Sequence, residues 1–116
     1  MTVHAVEKQA LLDSLGNDVE FLKTIVGIFL TDCPAMLAAI RAAVAARDPV
    51  QIRSAAHELK GSVSFFGATY AVEAAQMLES LGRDEKLAEA DEGLSVLERE
   101  MAVVVLSLKE IANEVA

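Results

Sequence analysis

The 116-residue sequence contains one cysteine, two prolines and few aromatic residues. The single cysteine, Cys33, cannot form an internal disulfide, which is typical of proteins from a reducing compartment. There is no phosphate loop of the G-x-x-x-x-G-K-[ST] type and no set of kinase motifs, so no residues for ATP binding are visible. The sequence also lacks a basic hydrophobic leader and an uninterrupted apolar run of membrane-spanning length. We therefore expect a soluble, cytoplasmic protein that does not bind a membrane.

Positive charge is scarce, and the formal net charge is -8 at pH 7. Because nucleic acid binding requires a basic patch and none is present, we expect no nucleic-acid partner. Eight acidic residues stand against three basic ones between residues 79 and 100, whereas residues 48–67 are balanced in charge. The acidic stretch predicts a solvated face. Residues 48–67 carry no such excess of acidic residues, so this region can receive an anionic group.

The N-terminal part of the chain is predicted to contain three helices. The first spans about residues 3–15, because Gly16 is a typical residue at a helix C-terminus. Asn17 or Asp18 can cap a second helix that reaches about residue 31. Pro34 is then predicted to open a third helix, since the first turn is where a helix tolerates proline.

The rest of the chain is predicted to form three further helices. Asp48 and Pro49 begin one that ends at Gly67, and residues 68–81 fold back on it as an αα-hairpin. The last segment, about residues 86–115, has apolar residues in alternating steps of three and four, and Gly93 can bend or divide it. We predict an all-α protein in which residues 1–116 form one domain. Its expected architecture is an antiparallel four-helix bundle with one or two short extra N-terminal helices.

His57 is predicted to lie on the exposed side of its helix. At about 100° per residue it stands about 140° from Ile52, which belongs to an apolar stripe with Ala55, Ala56, Leu59, Val63 and Phe66. An exposed glycine inside a helix costs about 1 kcal/mol relative to alanine, so Gly61 indicates a surface that has to be free of a side chain. The predicted neighbours of His57 on this face are Arg53, Ser54, Lys60, Gly61 and Ser64.

Residues 57–67 read HELKGSVSFFG, which resembles the signature of the histidine-containing phosphotransfer (HPt) domain, H-x-L-K-G-(small)-x-x-x-x-G. The marked positions all match, including the two structural ones, Leu59 and Gly67. Val63 stands where a second small residue is more common. Because Val63 belongs to the core stripe, this departure concerns packing and not chemistry. The resemblance implies a phosphorelay intermediate that accepts a phosphoryl group on His57 from a response-regulator receiver aspartate and passes it to another receiver aspartate.

The resemblance also implies roles for other residues. Lys60 would stabilise the phosphoryl oxygens, and the attacking atom would be Nε2 of His57. A polar side chain from the following helix often orients the histidine in this family, and Gln76 and Glu79 both fall near its level. The sequence does not choose between these two, and both can also be merely solvated. Four residues are expected to contact the partner: Arg53, Ser54, Gly61 and Ser64.

The expected partners are receiver domains, including those of hybrid sensor histidine kinases, with Mg²⁺ held by the receiver. We expect no metal or cofactor bound by this chain, because the only other histidine, His4, gives no metal-ligand spacing with His57. We also expect a monomer without enzymatic activity, and the start at Met1 favours a separate protein. The alternative is a helical adaptor that binds a signalling partner without accepting phosphate. An enzyme acting on a small molecule is disfavoured, because an alanine-rich bundle offers few residues for a pocket.

Overall fold

The computed structural model describes residues 5–115, and within this range it contains five α-helices. A short helix precedes four longer ones, and α2 and α4 each pack against both α3 and α5. This arrangement confirms the all-α four-helix bundle with one short extra helix at the N-terminal end. The helices are α1 (Lys8–Ser14), α2 (Val19–Ala45), α3 (Pro49–Phe65), α4 (Thr69–Arg83) and α5 (Ala90–Glu114), with a 3₁₀ turn at Leu87–Glu89 before α5.

Helix α2 is continuous, so the predicted division into two helices before Pro34 is wrong. The Asp18 carboxylate caps its start by accepting a 3.0 Å hydrogen bond from the Phe21 backbone N–H. Pro34 lies inside the helix, where a proline removes one intrahelical hydrogen bond and costs about 3 kcal/mol. The buried face continues on both sides of Pro34, and packing of that face offsets the loss. It consists of Leu22, Val26, Phe29, Cys33, Ile40, Ala43 and Val44.

Among residues 5–115, α2 is the one helix with the length and hydropathy needed to cross a membrane. Core helices of soluble proteins pass the same test, and α2 buries one face against the bundle. Length and hydropathy alone therefore do not make it a membrane span.

The first helix begins later than predicted. The expected start at residue 3 lies outside the described residues, and the chain is not yet helical at Val6. The Val6 N–H donates to Ser107 Oγ at 3.2 Å, and the same hydroxyl donates to the Val6 carbonyl at 3.3 Å. These bonds attach the segment to α5, and α1 starts only at Lys8. Gly16 follows the helix with a φ of 66°, as its predicted role at the C-terminus requires.

The α3–α4 hairpin forms as predicted at its turn. The Asp48 carboxylate accepts a 3.1 Å hydrogen bond from the Gln51 N–H, which caps α3, and Pro49 occupies the first helical turn. Gly67 ends α3 with a φ of 67°, a conformation that glycine adopts at low cost. The hairpin therefore places residues of α3 and α4 side by side in antiparallel order.

Helix α4 extends to Arg83, beyond the predicted end at residue 81, and includes Gly82. Gly82 is buried, and a Cβ atom at this position would lie 2.8 Å from both the Arg53 backbone N and the Pro49 carbonyl oxygen. Helices α3 and α4 therefore approach closely near the end that lies opposite their turn. Arg53 is one helical turn from His57 on α3, and Gly82 is one turn from Glu79 on α4.

Helix α5 buries the apolar face that its spacing predicts, with Leu97, Met101, Val104 and Leu108 in the core. Gly93 does not divide the helix. A Cβ atom at Gly93 would lie 3.2 Å from Leu81 Cδ1 and 3.3 Å from Leu78 Cδ1. The glycine thus provides room for leucine side chains of α4.

Candidate functional site

His57 lies on the solvent side of α3, as its spacing predicts. Its side chain is 68% exposed, while Leu59 and Val63 on the opposite side are fully buried. Val63 thus packs into the core, so its departure from the signature concerns a buried residue and not the exposed face. The remaining stripe residues Ile52, Ala56 and Phe66 are buried, and Ala55 is partly buried.

The structure pairs His57 with Glu79 on α4. Nδ1 of the imidazole lies 2.9 Å from Glu79 Oε1, and the Glu79 side chain is only 13% exposed. Burial raises the pKa of this carboxyl, but hydrogen bonds from Lys60 and His57, together with the charges of these two residues, lower the pKa by more. The net pKa therefore lies below its ordinary value. An ionised carboxylate accepts hydrogen bonds and cannot donate them. Nδ1 therefore carries the proton, and the lone pair of the neutral ring is on Nε2.

Lys60 lies beside the same carboxylate and is mostly buried, with 22% of its side chain exposed. Its ammonium is 2.9 Å from Glu79 Oε1 and donates a second bond of 2.9 Å to Gln76 Oε1. The Gln76 amide in turn donates to Ser80 Oγ at 3.1 Å. Glu79, and not Gln76, is therefore the contact of His57, whereas Gln76 contacts Lys60.

The predicted neighbours of His57 lie on its face of α3. Arg53, Ser54, Gly61 and Ser64 are all exposed. A Cβ atom at Gly61 would have no heavy atom within 4 Å, so the space beside it is open. The Ser64 hydroxyl donates a 2.7 Å hydrogen bond to the Lys60 carbonyl and is occupied within the helix. The surface beside the histidine is thus open and accessible.

An apolar groove between α2 and α3 flanks this face. It has a volume of about 480 Å³ and includes Glu58 and Ser62, the residues that follow His57 and Gly61 in the chain. Two of its apolar side chains are largely exposed, Ile28 by 59% and Phe65 by 50%. The exposed imidazole and an apolar surface therefore adjoin one another along α3.

The sequence did not indicate two residues that shape the site. Ser80 accepts a hydrogen bond from the Gln76 amide, and Gly82 permits the close approach of α3 and α4. The spacing of Gln76, Glu79 and Ser80 along α4 is the signal for one shared face. Gly82 resembles an ordinary residue at a helix end, and its contact with α3 appears only in three dimensions.

The site combines an exposed imidazole, a carboxylate on its inner nitrogen and a nearby ammonium. A neutral imidazole with a free Nε2 is a nucleophile, and the carboxylate can stabilise positive charge that develops on the ring. In residues 5–115 no three side chains of the His, Cys, Asp and Glu types come together as metal ligands. The described geometry is suited to accepting an electrophilic group from a partner.

A solved structure has the same fold as this chain. The crystal structure of histidine-containing phosphotransfer protein B (HptB) from Pseudomonas aeruginosa PAO1 matches with a TM-score of 0.88 at 24% sequence identity. The match covers 97% of this chain and 98% of that chain. At this level of identity the similarity establishes the helical arrangement. No curated protein sequence matches the chain.

The family comparison identifies the chain. The model of the Hpt domain matches residues 24–107, which is more than half of the sequence and includes the whole of α3 and α4. Hpt domains are generally soluble phosphotransfer intermediates of phosphorelays, are not kinases, and interact with response-regulator receiver domains. The chain therefore belongs to the Hpt domain family and has a histidine phosphotransfer role.

Proposed function

We propose that this protein accepts a phosphoryl group on Nε2 of His57 from the phosphoaspartate of one receiver domain and transfers it to the aspartate of another. The observation that carries the proposal is the exposed imidazole whose Nδ1 is held 2.9 Å from Glu79. This contact leaves Nε2 as the nucleophilic atom.

The proposed step balances without a further reactant. The Nε2 lone pair forms a bond to phosphorus, the bond between phosphorus and the aspartate oxygen breaks, and its electron pair returns to the aspartate carboxylate. The imidazole retains its Nδ1 proton and gains positive charge. Glu79 stabilises this charge across the 2.9 Å hydrogen bond. Attack by the carboxylate of the second receiver reverses the sequence and restores the neutral ring.

Lys60 supports the phosphoryl group in this proposal. An ammonium has three N–H donors, and Glu79 and Gln76 occupy two of them. The third is available to a phosphoryl oxygen, where charge accumulates during transfer. Lys60 therefore contributes positive charge while its ammonium stays in contact with Glu79 and Gln76 of α4.

The receiver would dock on the face that carries Arg53, Ser54, Gly61 and Ser64. The apolar groove beside this face supports the assignment, because Ile28 and Phe65 provide the apolar area that a protein interface buries at its centre. A relay protein must release each partner, so a small and transient interface suits the function.

The rest of the chemistry comes from the partner. The receiver would supply Mg²⁺ and the phosphorylated carboxylate, while this chain binds no cofactor and catalyses no reaction of its own. We further propose that the protein acts as a cytoplasmic monomer and that receivers of hybrid sensor kinases are among its donors.

Phosphotransfer profiling tests the relay. Each receiver domain of the source genome is loaded with acetyl phosphate, mixed with the protein, and removed before a second receiver is added. We expect rapid labelling from one receiver and subsequent transfer to another. A protein that binds receivers but never becomes labelled would instead be a helical adaptor, and the proposed function would be wrong.

Replacing Glu79 by glutamine should slow phosphoryl transfer. The amide oxygen can still accept the Nδ1 hydrogen bond, but the substitution removes the negative charge that stabilises the imidazolium. A hydrogen bond to a charged group contributes about 1.5–3 kcal/mol, compared with about 0.5–1.5 kcal/mol for a neutral one. We therefore expect the single-turnover rate to fall about tenfold, with the fold unchanged by circular dichroism. Glu73→Gln, the same change at an exposed position of α4, is the control; equal rates in both variants would remove Glu79 from the mechanism.

Replacing Gly61 by glutamate should weaken transfer by filling the open space next to His57. Two effects contribute, because the side chain blocks the approach and its charge repels a phosphorylated receiver. Gly61→Gln separates them, since it adds nearly the same volume without charge. Ala102→Glu, at an exposed position of α5, is the control for an added glutamate. Normal transfer by both Gly61 variants would show that clearance at this position is not needed.

A further inference from the structure

Helix α4 carries a second set of contacts beneath the histidine. The Lys60 ammonium lies between two acceptors, Glu79 Oε1 and Gln76 Oε1, each at 2.9 Å. Ser80 Oγ accepts a 3.1 Å hydrogen bond from Gln76 Nε2. A continuous chain of hydrogen bonds therefore runs from Ser80 through Gln76, Lys60 and Glu79 to the imidazole.

We propose that Gln76 is a positioning residue for phosphoryl transfer, which holds Lys60 against Glu79 and is itself held by Ser80. The inference rests on the proposed function and adds to it a residue that does not touch His57. Gln76 acts through Lys60, and Lys60 acts on the histidine through Glu79.

The Gln76 contact matters because lysine is otherwise free to move. Its side chain has four rotatable bonds and a strongly hydrated ammonium, so one acceptor alone restrains it weakly. Two acceptors on neighbouring turns of α4 fix the ammonium beside Glu79. Lys60 is accordingly only 22% exposed, although its α3 face is open to solvent.

Lys60 determines which end of the Gln76 amide it meets. An amide has an oxygen that accepts and an NH₂ group that donates, and an ammonium only donates. The oxygen therefore faces the ammonium, and the NH₂ group donates to Ser80 Oγ. Ser80 thus holds the other end of the amide in place while its oxygen retains the lysine.

The lysine in turn lowers the pKa of Glu79. Hydrogen bonding and charge from Lys60 are among the causes that oppose the effect of burial on this carboxyl. Lys60 is also the ammonium that the proposed function assigns to the phosphoryl oxygens. Loss of Gln76 would allow Lys60 to move away from Glu79, which would raise the pKa of Glu79 and withdraw the ammonium from the phosphoryl group.

The test uses Gln76→Met in the full chain, which preserves length and removes both hydrogen bonds. In the unphosphorylated protein, ¹³C spectra of the carboxyl report the titration of Glu79. We expect the pKa of Glu79 to rise. We expect the phosphotransfer rate to fall about three- to tenfold, because the variant removes one contact of Lys60 and leaves its ion pair with Glu79 possible.

Two further variants make the result decisive. Ser80→Ala should change the same signals in the same direction by a smaller amount. Gln51→Met, the same chemical change at an exposed position of α3, should change none of them. An unchanged Glu79 titration together with an unchanged phosphotransfer rate in Gln76→Met would overturn the inference. Failure of the proposed function is distinguishable, because it would appear as the absence of phosphohistidine in the wild-type protein.

Discussion

Replacing His57 by glutamine should abolish phosphorylation of the protein by a receiver loaded with acetyl phosphate. Glutamine has a polar side chain of similar reach but no nucleophilic ring nitrogen, so no N–P bond can form. The side chain is 68% exposed, and substitutions at such positions usually change stability by no more than about 0.5 kcal/mol. The variant should therefore retain its helical circular dichroism spectrum and its unfolding midpoint. Incorporated phosphate, measured by Phos-tag electrophoresis, should fall to background.

His4→Gln is the control for this substitution, because His4 is the only other histidine in the chain. It should be labelled at the wild-type rate. Undiminished labelling of His57→Gln would place the phosphoryl group on another residue and remove His57 from the mechanism. If His57→Gln lost both labelling and helical structure, His57→Asn and His57→Ala would show whether a folded variant without the imidazole can still be labelled.

Replacing Gly82 by alanine should destabilise the bundle more than any exposed substitution. The added methyl group would lie 2.8 Å from backbone atoms of Arg53 and Pro49, which cannot move aside as a flexible side chain can. Overpacking of this kind typically costs about 1–3 kcal/mol, whereas alanine at an unhindered helix position gains about 1 kcal/mol over glycine. Because the obstructing atoms belong to the backbone, we expect the upper part of that cost and a net loss of up to about 2 kcal/mol in the free energy of unfolding, measured by urea denaturation.

Gly27→Ala is the matched control, because Gly27 is also inside a helix but has no heavy atom within 4 Å of a Cβ position. It should stabilise the protein by up to about 1 kcal/mol. The two identical substitutions should thus have effects of opposite sign. The Gly82 contact lies one turn from the pairing of His57 with Glu79, so Gly82→Ala should also slow phosphoryl transfer. Equal stability in the two variants would contradict the close approach of α3 and α4.

The site helix could be predicted from the sequence because its signals are local. Asp48 and Pro49 mark its start and Gly67 its end, and these depend on a few neighbouring atoms. The apolar stripe fixes which side is buried, and that places His57 outside. Exposure of the histidine therefore followed from periodicity alone.

The N-terminal predictions were wrong where tertiary packing overrides a local signal. Pro34 is a helix breaker by its own chemistry, but the continuous buried face of α2 keeps the helix intact. The apolar side chain of Val6 fits the predicted helix. The Val6 backbone, however, forms hydrogen bonds with Ser107, which is distant in sequence. Neither effect is visible from residues close in sequence.

The choice between Gln76 and Glu79 could not be made from the sequence because both lie on the same face of α4. The register between α3 and α4 decides the pairing, and it depends on the turn at Gly67 and on the contact at Gly82. With this register, Glu79 meets His57 and Gln76 meets Lys60. Gln76 and Glu79 are three residues apart, which is a rise of about 4.5 Å along the helix, and this difference gives them different contacts.

The most direct measurement is the position of the phosphoryl group after the protein is mixed with a phosphorylated receiver. Mass spectrometry of peptides kept at alkaline pH identifies the residue, and ³¹P and ¹⁵N NMR identify the ring nitrogen. The account predicts a single phosphoryl group on Nε2 of His57, with the Nδ1 proton still directed at Glu79. A phosphoryl group on Nδ1, on another residue, or on none would contradict it.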